Sequence, residues 1–285
     1  MRWERGRRSD NVEDRRGIRV SRGVAGGGIG ALLLVLVALY FGVDPSVVVN
    51  TGVQPSGNTA PYAESRNASP EEERLSEFVS VVLADTEDTW HALFRQMGQS
   101  YQEPSLVLFS GAVESACGFA QAAVGPFYCP RDQKVYIDLS FFEDLENRFR
   151  APGDFAQAYV IAHEIGHHVQ KLLGIADKVD TLRRRVDETQ GNRLSVMLEL
   201  QADCLAGVWA HHADRSRRIL EQGDIEEALN AASAIGDDRL QRRSRGYVTP
   251  DSFTHGSSGQ RVHWFRQGIE TGDIEQCNTF VAERF

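Results

Sequence analysis

The sequence predicts an α+β protein in which a small sheet packs against several helices. Two short segments rich in β-branched and aromatic residues, 106–110 and 134–142, predict strands. Longer segments with apolar residues at helical spacing predict helices over residues 75–97, 154–174, 194–212, 224–243 and 258–270. An uncharged stretch within residues 23–43 predicts one transmembrane helix ahead of this domain.

Size and composition are those of an ordinary folded protein, with 285 residues of which 41% are hydrophobic and 25% charged. The net charge is −9, and residues 1–22 carry eight arginines against four acids, so the rest of the chain must carry −13. An acidic body lacks the basic surface that nucleic acids require. We therefore expect no nucleic-acid partner.

The first 74 residues predict three segments ahead of the folded domain. Residues 1–22 have too few apolar side chains to fold alone and predict a basic cytoplasmic segment. Residues 23–43 have about the length and composition that cross a bilayer as a helix. Residues 44–74 are rich in Pro, Gly, Ser, Asn and Thr and predict a flexible linker, which leaves residues 75–285 as the single domain.

The arginines before the apolar stretch predict that the N-terminus lies in the cytoplasm. A cleaved signal peptide is the alternative, but no small-residue cleavage site follows directly and the preceding polar region is long. We therefore expect a single-pass protein of the cell membrane whose domain lies outside the cytoplasm. The sequence indicates no particular oligomeric state.

All four cysteines, Cys117, Cys129, Cys204 and Cys277, fall in the predicted exported domain. An even number there is typical of disulfides, although four cysteines allow three pairings and buried free thiols are the alternative. We expect Cys117 to pair with Cys129 across a short loop, and Cys204 with Cys277. None of them has the close spacing of a structural zinc site.

The most specific motif is HEIGH, within the predicted helix 154–174. His163 and His167 are four residues apart, so they lie one turn apart on one helix face and can bind one metal ion. Glu164, about 100° further around the helix, can reach a water on that ion. These side chains interrupt an apolar run, where unpaired polar groups would be costly, so a zinc site is favoured over a solvated helix face.

The residues at its two ends predict where the HEIGH helix begins and ends. Asp154 is the predicted N-cap, and Gly174 is the predicted stop after the last turn. His168, directly after the motif, points to a different face of the helix, and we interpret it as a structural or surface residue.

A catalytic zinc ion usually has three protein ligands and a fourth position for water. Glu199, in the apolar run LELQADCLAG, is the best candidate for the third ligand. Asp203 follows one turn later and can accept the outer N–H of a zinc-bound imidazole. With one zinc ion bound, Glu164 would be the general base that passes a proton to the leaving amine. The alternative, a solvated carboxylate pair, is disfavoured by the apolar neighbours.

A Gly/Ser-rich loop near the C-terminus holds the remaining candidates. His255 is the candidate donor to the tetrahedral oxyanion, and Arg261 is a candidate for orienting this loop or holding substrate. His263 is a weaker candidate, and an exposed histidine without a role is the alternative for His255. Asp237 and Asp238 could bind a cation or a substrate amine, but we prefer a helix-surface pair neutralised by nearby arginines.

Motifs spread over nearly the whole chain resemble one family. They are SDNVEDRRG, ACGFAQAAVGPFYCP, VYIDLSFF, HEIGHH, ELQADCLAG, ALNAASAIGDDRLQ and THGSSGQRVHWF. Together they resemble the bacterial neutral zinc metallopeptidases of the YpfJ-like family. The order HExxH, ExxxD and His-x5-Arg is also similar to the HtpX-type membrane peptidases.

The resemblance implies a zincin-like fold of the gluzincin type. By that likeness, Glu199 is the glutamate ligand, Asp203 supports a ligand, and His255 and Arg261 match the later His and Arg. Those peptidases usually have Pro after this His, whereas Gly256 stands here, so the loop geometry is expected to differ.

Zincin likeness further implies that an edge strand ahead of the HEIGH helix pairs with extended substrate, and KVYIDL, residues 134–139, is the candidate. We therefore expect a membrane-anchored zinc metalloendopeptidase that acts on peptide or protein substrates. One alternative is an anchored cell-envelope binding or scaffold protein with a structural or vestigial zinc site. Another is a zinc hydrolase of non-peptide amides. The intact Glu164 favours the enzyme, because a structural site has no need of it.

Overall fold

The computed structural model of the chain describes residues 1–18 and 68–280. Within these ranges, eight α-helices pack with a four-stranded sheet and a two-stranded sheet, which confirms the predicted α+β class. The predicted transmembrane helix, residues 23–43, and residues 44–67 of the predicted linker lie outside the described residues. The prediction of a linker is wrong for residues 70–74, which are the start of a helix that begins at Pro70. Among the described helices, none is both long and apolar enough to cross a membrane.

The larger sheet has the order β1-β2-β6-β5, and the smaller one is a hairpin of β3 and β4. The strands are β1 (Val12–Asp14), β2 (Ser105–Phe109), β3 (Ala112–Ser115), β4 (Gly118–Gln121), β5 (Phe127–Cys129) and β6 (Lys134–Asp138). Strands β1, β2 and β6 run parallel, and β5 is antiparallel to β6. The two strands predicted from sequence are therefore confirmed.

Strand β6 is shorter than the predicted 134–142, because the chain turns into a helix after Asp138. One carboxylate oxygen of Asp138 accepts the backbone N–H of Ser140 at 3.0 Å, where that helix begins. The prediction that residues 134–139 form an edge strand is wrong. Strand β6 pairs with β2 on one side and with β5 on the other, and it is β5 that lies at the edge.

The helices account for most of the domain. They are α1 (Pro70–Gln96), α2 (Ser140–Asn147), α3 (Asp154–Leu172), α4 (Ile175–Arg183), α5 (Glu188–Arg217), α6 (Asp224–Ala234), α7 (Asp237–Arg245) and α8 (Ser258–Thr271). The single helix predicted over 224–243 is two helices that meet at Gly236. A Cβ at Gly236 would lie 2.4 Å from the backbone nitrogen of Ser258, so only glycine permits this close approach of α8.

Helix α3 is the centre of the core. It is buried on nearly every side, and it packs on α5, α6 and α1. Its apolar side chains Phe155, Tyr159, Ile161, Ile165 and Val169 are all 0% exposed. Asp154 is not the N-cap as predicted, because its carboxylate contacts the Met1 amine, and Glu227 instead accepts the N–H of Phe155.

Residues 1–18 belong to this fold, so they do not form the separate segment predicted over 1–22, of which residues 19–22 lie outside the described residues. Strand β1 adds to the sheet beside β2. The side chain of Trp3 is buried and packs edge-on against Phe78 of α1, with 5.4 Å between the ring centroids. The segment has too few apolar side chains to fold alone, but it does not fold alone: it completes a sheet and a core that residues 68–280 supply.

The two disulfides have the predicted pairing. Cys117 is bonded to Cys129, and Cys204 to Cys277. The second bond ties α5 to the short turn after α8, and the described residues hold no free cysteine.

Candidate metal site

Helices α3 and α5 bring together the three predicted metal ligands. The imidazole Nε2 of His163 lies 3.2 Å from one Glu199 oxygen, and Nε2 of His167 lies 3.5 Å from the other. One ligand atom from each of these residues falls within 4.8 Å of the others. Both histidines therefore turn the same ring nitrogen towards one carboxylate, and two histidines with one glutamate are a known donor set for catalytic zinc.

Asp203 holds His163 in this orientation. Its Oδ1 lies 2.8 Å from Nδ1 of His163, and it is 0% exposed. Arg261 donates from Nε and Nη2 to the two oxygens of Asp203, each at 2.8 Å, and the hydroxyl of Tyr159 also donates to Asp203. With Nδ1 committed to Asp203, the Nε2 atom of His163 is left to face the candidate site.

Gln170 orients the ring of His167, as Asp203 orients that of His163. Its side-chain oxygen lies 2.9 Å from Nδ1 of His167. Its amide nitrogen donates to the Leu198 carbonyl at 2.7 Å and to Gln201 at 3.1 Å, and Gln201 in turn donates to the Cys277 carbonyl. Sequence reasoning missed Gln170, although a glutamine one turn after a ligand in an apolar run was a usable signal.

The charges of the site also fit a cation. Around the ligand atoms lie three carboxylates, those of Glu164, Glu199 and Asp203, against one guanidinium, that of Arg261. Burial favours the protonated form of Asp203, but Arg261 and then His163 outweigh burial and lower its pKa to about 2. With neutral imidazoles, these three carboxylates and one guanidinium carry a net charge of about −2. A divalent cation would compensate this charge.

Asp203 and Glu199 also change the pKa of His163, the first metal ligand along the chain. Burial lowers the pKa of His163, but Asp203 and then Glu199 outweigh burial and raise that pKa to about 9. Without an ion, these two carboxylates therefore attract a proton to the position where a metal would bind. This competition between proton and metal is the usual behaviour of histidine ligands.

Glu164 lies in the same cleft as the ligands, and only 8% of it is exposed. The far wall of the cleft runs from Ala122 to Tyr128, the segment that leads into and forms the edge strand β5. Apolar and aromatic side chains make up much of the remaining lining, together with the charged Asp144 and Arg148: Val160, Phe141, Phe149, Ile235 and Leu240. The candidate general base, the ligands and a sheet edge are thus in one place.

His255 lines this cleft from the loop between α7 and α8. Its Nδ1 lies 3.4 Å from Asp237 Oδ1, and the other oxygen of Asp237 accepts the backbone N–H groups of Thr254, His255 and Gly256 at 2.8, 2.7 and 3.1 Å. Gly256 has φ of +90°, a conformation that proline cannot adopt. This geometry accounts for glycine at a position where the HtpX-type peptidases usually have proline.

Asp237 and Asp238 do not form the helix-surface pair that we preferred from sequence. Asp237 is 0% exposed and is committed to the His255 loop. Asp238 is half-buried and accepts the N–H and the hydroxyl of Ser258, each at 2.7 Å, at the start of α8. These two carboxylates fix the loop that carries His255 and the helix that carries Arg261.

Three further residues complete the comparison with the sequence predictions. Arg261 is 2% exposed and its donors meet Asp203, so it orients a ligand-supporting carboxylate rather than the loop. His263 is exposed and lies outside the cleft.

His168 is structural, as predicted: its Nε2 lies 2.7 Å from the Gln102 carbonyl and its Nδ1 lies 3.0 Å from the hydroxyl of Tyr128 in β5. Because Nε2 must donate to a carbonyl, Nδ1 is the atom that accepts from Tyr128. Burial lowers the pKa of His168 to about 4, so the ring stays neutral and joins the HEIGH helix to the edge strand.

Comparison with known proteins agrees with this geometry. A family model described as "Putative neutral zinc metallopeptidase" matches residues 1–280. The chain is 52% identical to the uncharacterized protein YpfJ of Escherichia coli K12, over 98% of this chain and 99% of that protein. It is 40% identical to the uncharacterized protein Rv2575 of Mycobacterium tuberculosis H37Rv, over 86% of this chain and 85% of that protein. No solved structure matches the chain. The chain therefore belongs to the putative neutral zinc metallopeptidase family.

Proposed function

We propose that the protein is a zinc-dependent endopeptidase with its active site between α3 and α5. The observation that carries the proposal is the convergence of His163, His167 and Glu199, with the carboxylate of Glu164 in the same cleft. A structural zinc site is closed by four protein ligands, whereas a catalytic site has three and keeps one position for water or substrate. Three ligands with the Glu164 carboxylate beside them therefore favour a catalytic site.

When bound here, zinc would supply Lewis acidity towards the water and the scissile carbonyl. Glu164 would take the proton of the attacking water and give it to the nitrogen of the leaving amine. His255 would donate a hydrogen bond to the oxygen that becomes negative. Since Nδ1 of His255 is the nitrogen next to Asp237, we assign the donor role to Nε2.

The proposed substrate is an extended peptide. Strand β5 pairs with β6 on one side only among the described strands, and it forms part of the cleft wall. A peptide added to such an edge gains main-chain hydrogen bonds, and pockets beside the edge select alternate side chains. The apolar lining formed by Phe141, Phe149 and Leu240 favours an apolar side chain next to the cleaved bond.

We also propose that the domain works outside the cytoplasm. The support is chemical: all four cysteines are in disulfides, and disulfides persist in oxidising compartments. Attachment to the membrane through the apolar stretch within residues 23–43 is part of the same proposal.

The test is proteolysis of unfolded protein substrates by the full-length protein and by Glu164→Gln at equal zinc occupancy. The expected result is loss of cleavage in Glu164→Gln while zinc stays bound. Glu146→Gln, an exposed acid on α2, is the matched control and should cleave like the unmodified protein. If neither the unmodified protein nor the control cleaves while both hold zinc, peptidase activity is refuted and the binding-protein alternative gains support.

A further inference from the structure

We propose that residues 1–18 and the domain formed by residues 68–280 lie on the same side of the membrane. The proposal is independent of the peptidase activity. It rests on three kinds of contact between the two described ranges: strand pairing, core burial and the pairing of a buried charge.

Strand pairing is the first contact. Strand β1 runs parallel to β2, with Val12 opposite Leu106 and Asp14 opposite Leu108. Beyond the strand itself, the N–H of Arg15 donates to the Leu108 carbonyl at 2.8 Å, and the N–H of Leu106 donates to the carbonyl of Asn11 at 2.8 Å. Without β1, the edge of β2 would expose unpaired backbone groups.

Core burial is the second contact. Met1 and Trp3 are each 6% exposed and belong to the main hydrophobic cluster of the domain. Gly6 lies so close to α1 that a Cβ on it would be 2.4 Å from a methyl carbon of Val81. Burying a large aromatic side chain stabilises a fold, so these contacts are not incidental surface docking.

The third contact involves Glu87 of α1, which is 0% exposed. Arg7 donates to one of its oxygens at 2.8 Å, and Asn11 and the hydroxyl of Ser9 donate to the other. If residues 1–18 lay across a membrane, this carboxylate would lose all three donors. The segment that supplies these donors also lies against Glu87, and a carboxylate is buried at low cost only with such partners, so residues 1–18 are part of the domain as described.

The stretch between the two ranges can supply at most one crossing. Residues 24–43 form one uncharged run of 20 residues, about what one crossing needs, and two crossings would need about 40. Residues 44–67 contain Asp44, Glu64 and Arg66 together with several prolines, so they do not provide a second run.

A single crossing would separate residues 1–18 from the domain by the hydrocarbon core, which is about 30 Å thick. None of the three kinds of contact could then form. On this proposal the N-terminus and the domain lie together, on whichever side the domain occupies, in place of the expected cytoplasmic N-terminus with an exported domain.

The proposal can be tested in the full-length protein by cysteine accessibility. Glu4→Cys and Glu270→Cys each place one thiol at an exposed position, while the native cysteines stay in their disulfides. Bacterial spheroplasts are treated with a membrane-impermeant maleimide before or after lysis. Arg5→Cys and Glu226→Cys, also exposed, form a second pair if either first variant folds poorly.

The expected result is equal behaviour within each pair, with both thiols labelled before lysis or both only after it, to within about twofold. Labelling of both before lysis would additionally place them outside the cytoplasm. If one thiol of a pair reacts before lysis and the other only after it, the two ranges lie on opposite sides and the proposal is overturned.

Discussion

Gly166 of the HEIGH motif lies directly against Ala202 of α5: a Cβ on Gly166 would come within 2.9 Å of the Ala202 carbonyl oxygen. Glycine at this position therefore sets how closely α3 approaches α5. That approach brings Glu199 of α5 to the two histidines of α3. The glycine inside HEIGH is thus part of the metal site through packing, although it offers no ligand atom.

We expect Gly166→Ala to weaken zinc binding by tenfold or more and to lower the free energy of unfolding by about 1–3 kcal/mol, as overpacked cores do. Competition with a chelator measures the first effect and urea unfolding the second. Gly191→Ala, in α5 with nothing within 4 Å of its added Cβ, is the matched control. Alanine there should stabilise the helix by about 0.5–1 kcal/mol. Equal effects of both substitutions would contradict the packing argument.

Gln170 gives a second prediction, because it joins His167 to the Leu198 carbonyl directly and to the Cys277 carbonyl through Gln201. Gln170→Leu keeps the size but removes both polar groups. We expect zinc affinity to fall about 10- to 100-fold, the range typical of residues that orient a metal-bound histidine. Glu199→Ala, which removes a ligand, sets the upper limit and should leave no stoichiometric zinc by mass spectrometry. Unchanged affinity in Gln170→Leu would show that His167 needs no such support.

Asp237 should act on catalysis through His255. We expect Asp237→Asn to lower kcat about tenfold with little change in KM, because the ring loses its charged partner while substrate binding at the sheet edge remains. The decisive measurement is a double-mutant cycle with His255→Gln, in which Asp237→Asn should add almost no further loss.

Asp238→Asn is the matched control for that cycle, since Asp238 is the neighbouring carboxylate but its bonds go to Ser258. Its effect on kcat should be small and should simply add to that of His255→Gln. Independent, additive losses for Asp237→Asn and His255→Gln would mean that Asp237 only maintains the fold.

The ligands could be predicted from sequence because local spacing determines them. The HEIGH spacing fixes His163, Glu164 and His167 relative to one another on one helix, whatever surrounds it. Glu199 and Asp203 were found by the same reasoning, since a carboxylate pair one turn apart in an apolar helix needs partners.

What the sequence could not show depends on contacts between distant segments. The position of β5 at the sheet edge follows from a strand order that periodicity does not encode. The role of Asp237 follows from a loop that folds back on it, with the first backbone contact at Thr254, 17 residues later. Residues 1–18 were misjudged for a related reason, because composition indicates only whether a segment can fold alone. The apolar side chains of this segment pack against Phe78 and its neighbours in the rest of the domain.

His168 links stability to pH. The ring titrates near its usual pKa of 6.5 in the unfolded chain, whereas burial lowers its pKa in the folded protein to about 4. Between these values the unfolded chain binds more protons, so this contribution is complete above pH 6.5 and is lost as the pH falls towards 4. The loss between pH 7 and pH 5 amounts to about 2 kcal/mol.

Urea unfolding of the zinc-free protein at pH 7 and pH 5, compared with His168→Gln, isolates this residue. Glutamine does not titrate, so the drop in the free energy of unfolding from pH 7 to pH 5 should be smaller in the variant by about 2 kcal/mol. Titration of the metal ligands, including His163 with its raised pKa, occurs in both proteins and cancels in the difference. An identical pH dependence in the two proteins would mean that the ring is already exposed to protons in the fold, and that the link between α3 and β5 is weaker than its hydrogen bonds indicate.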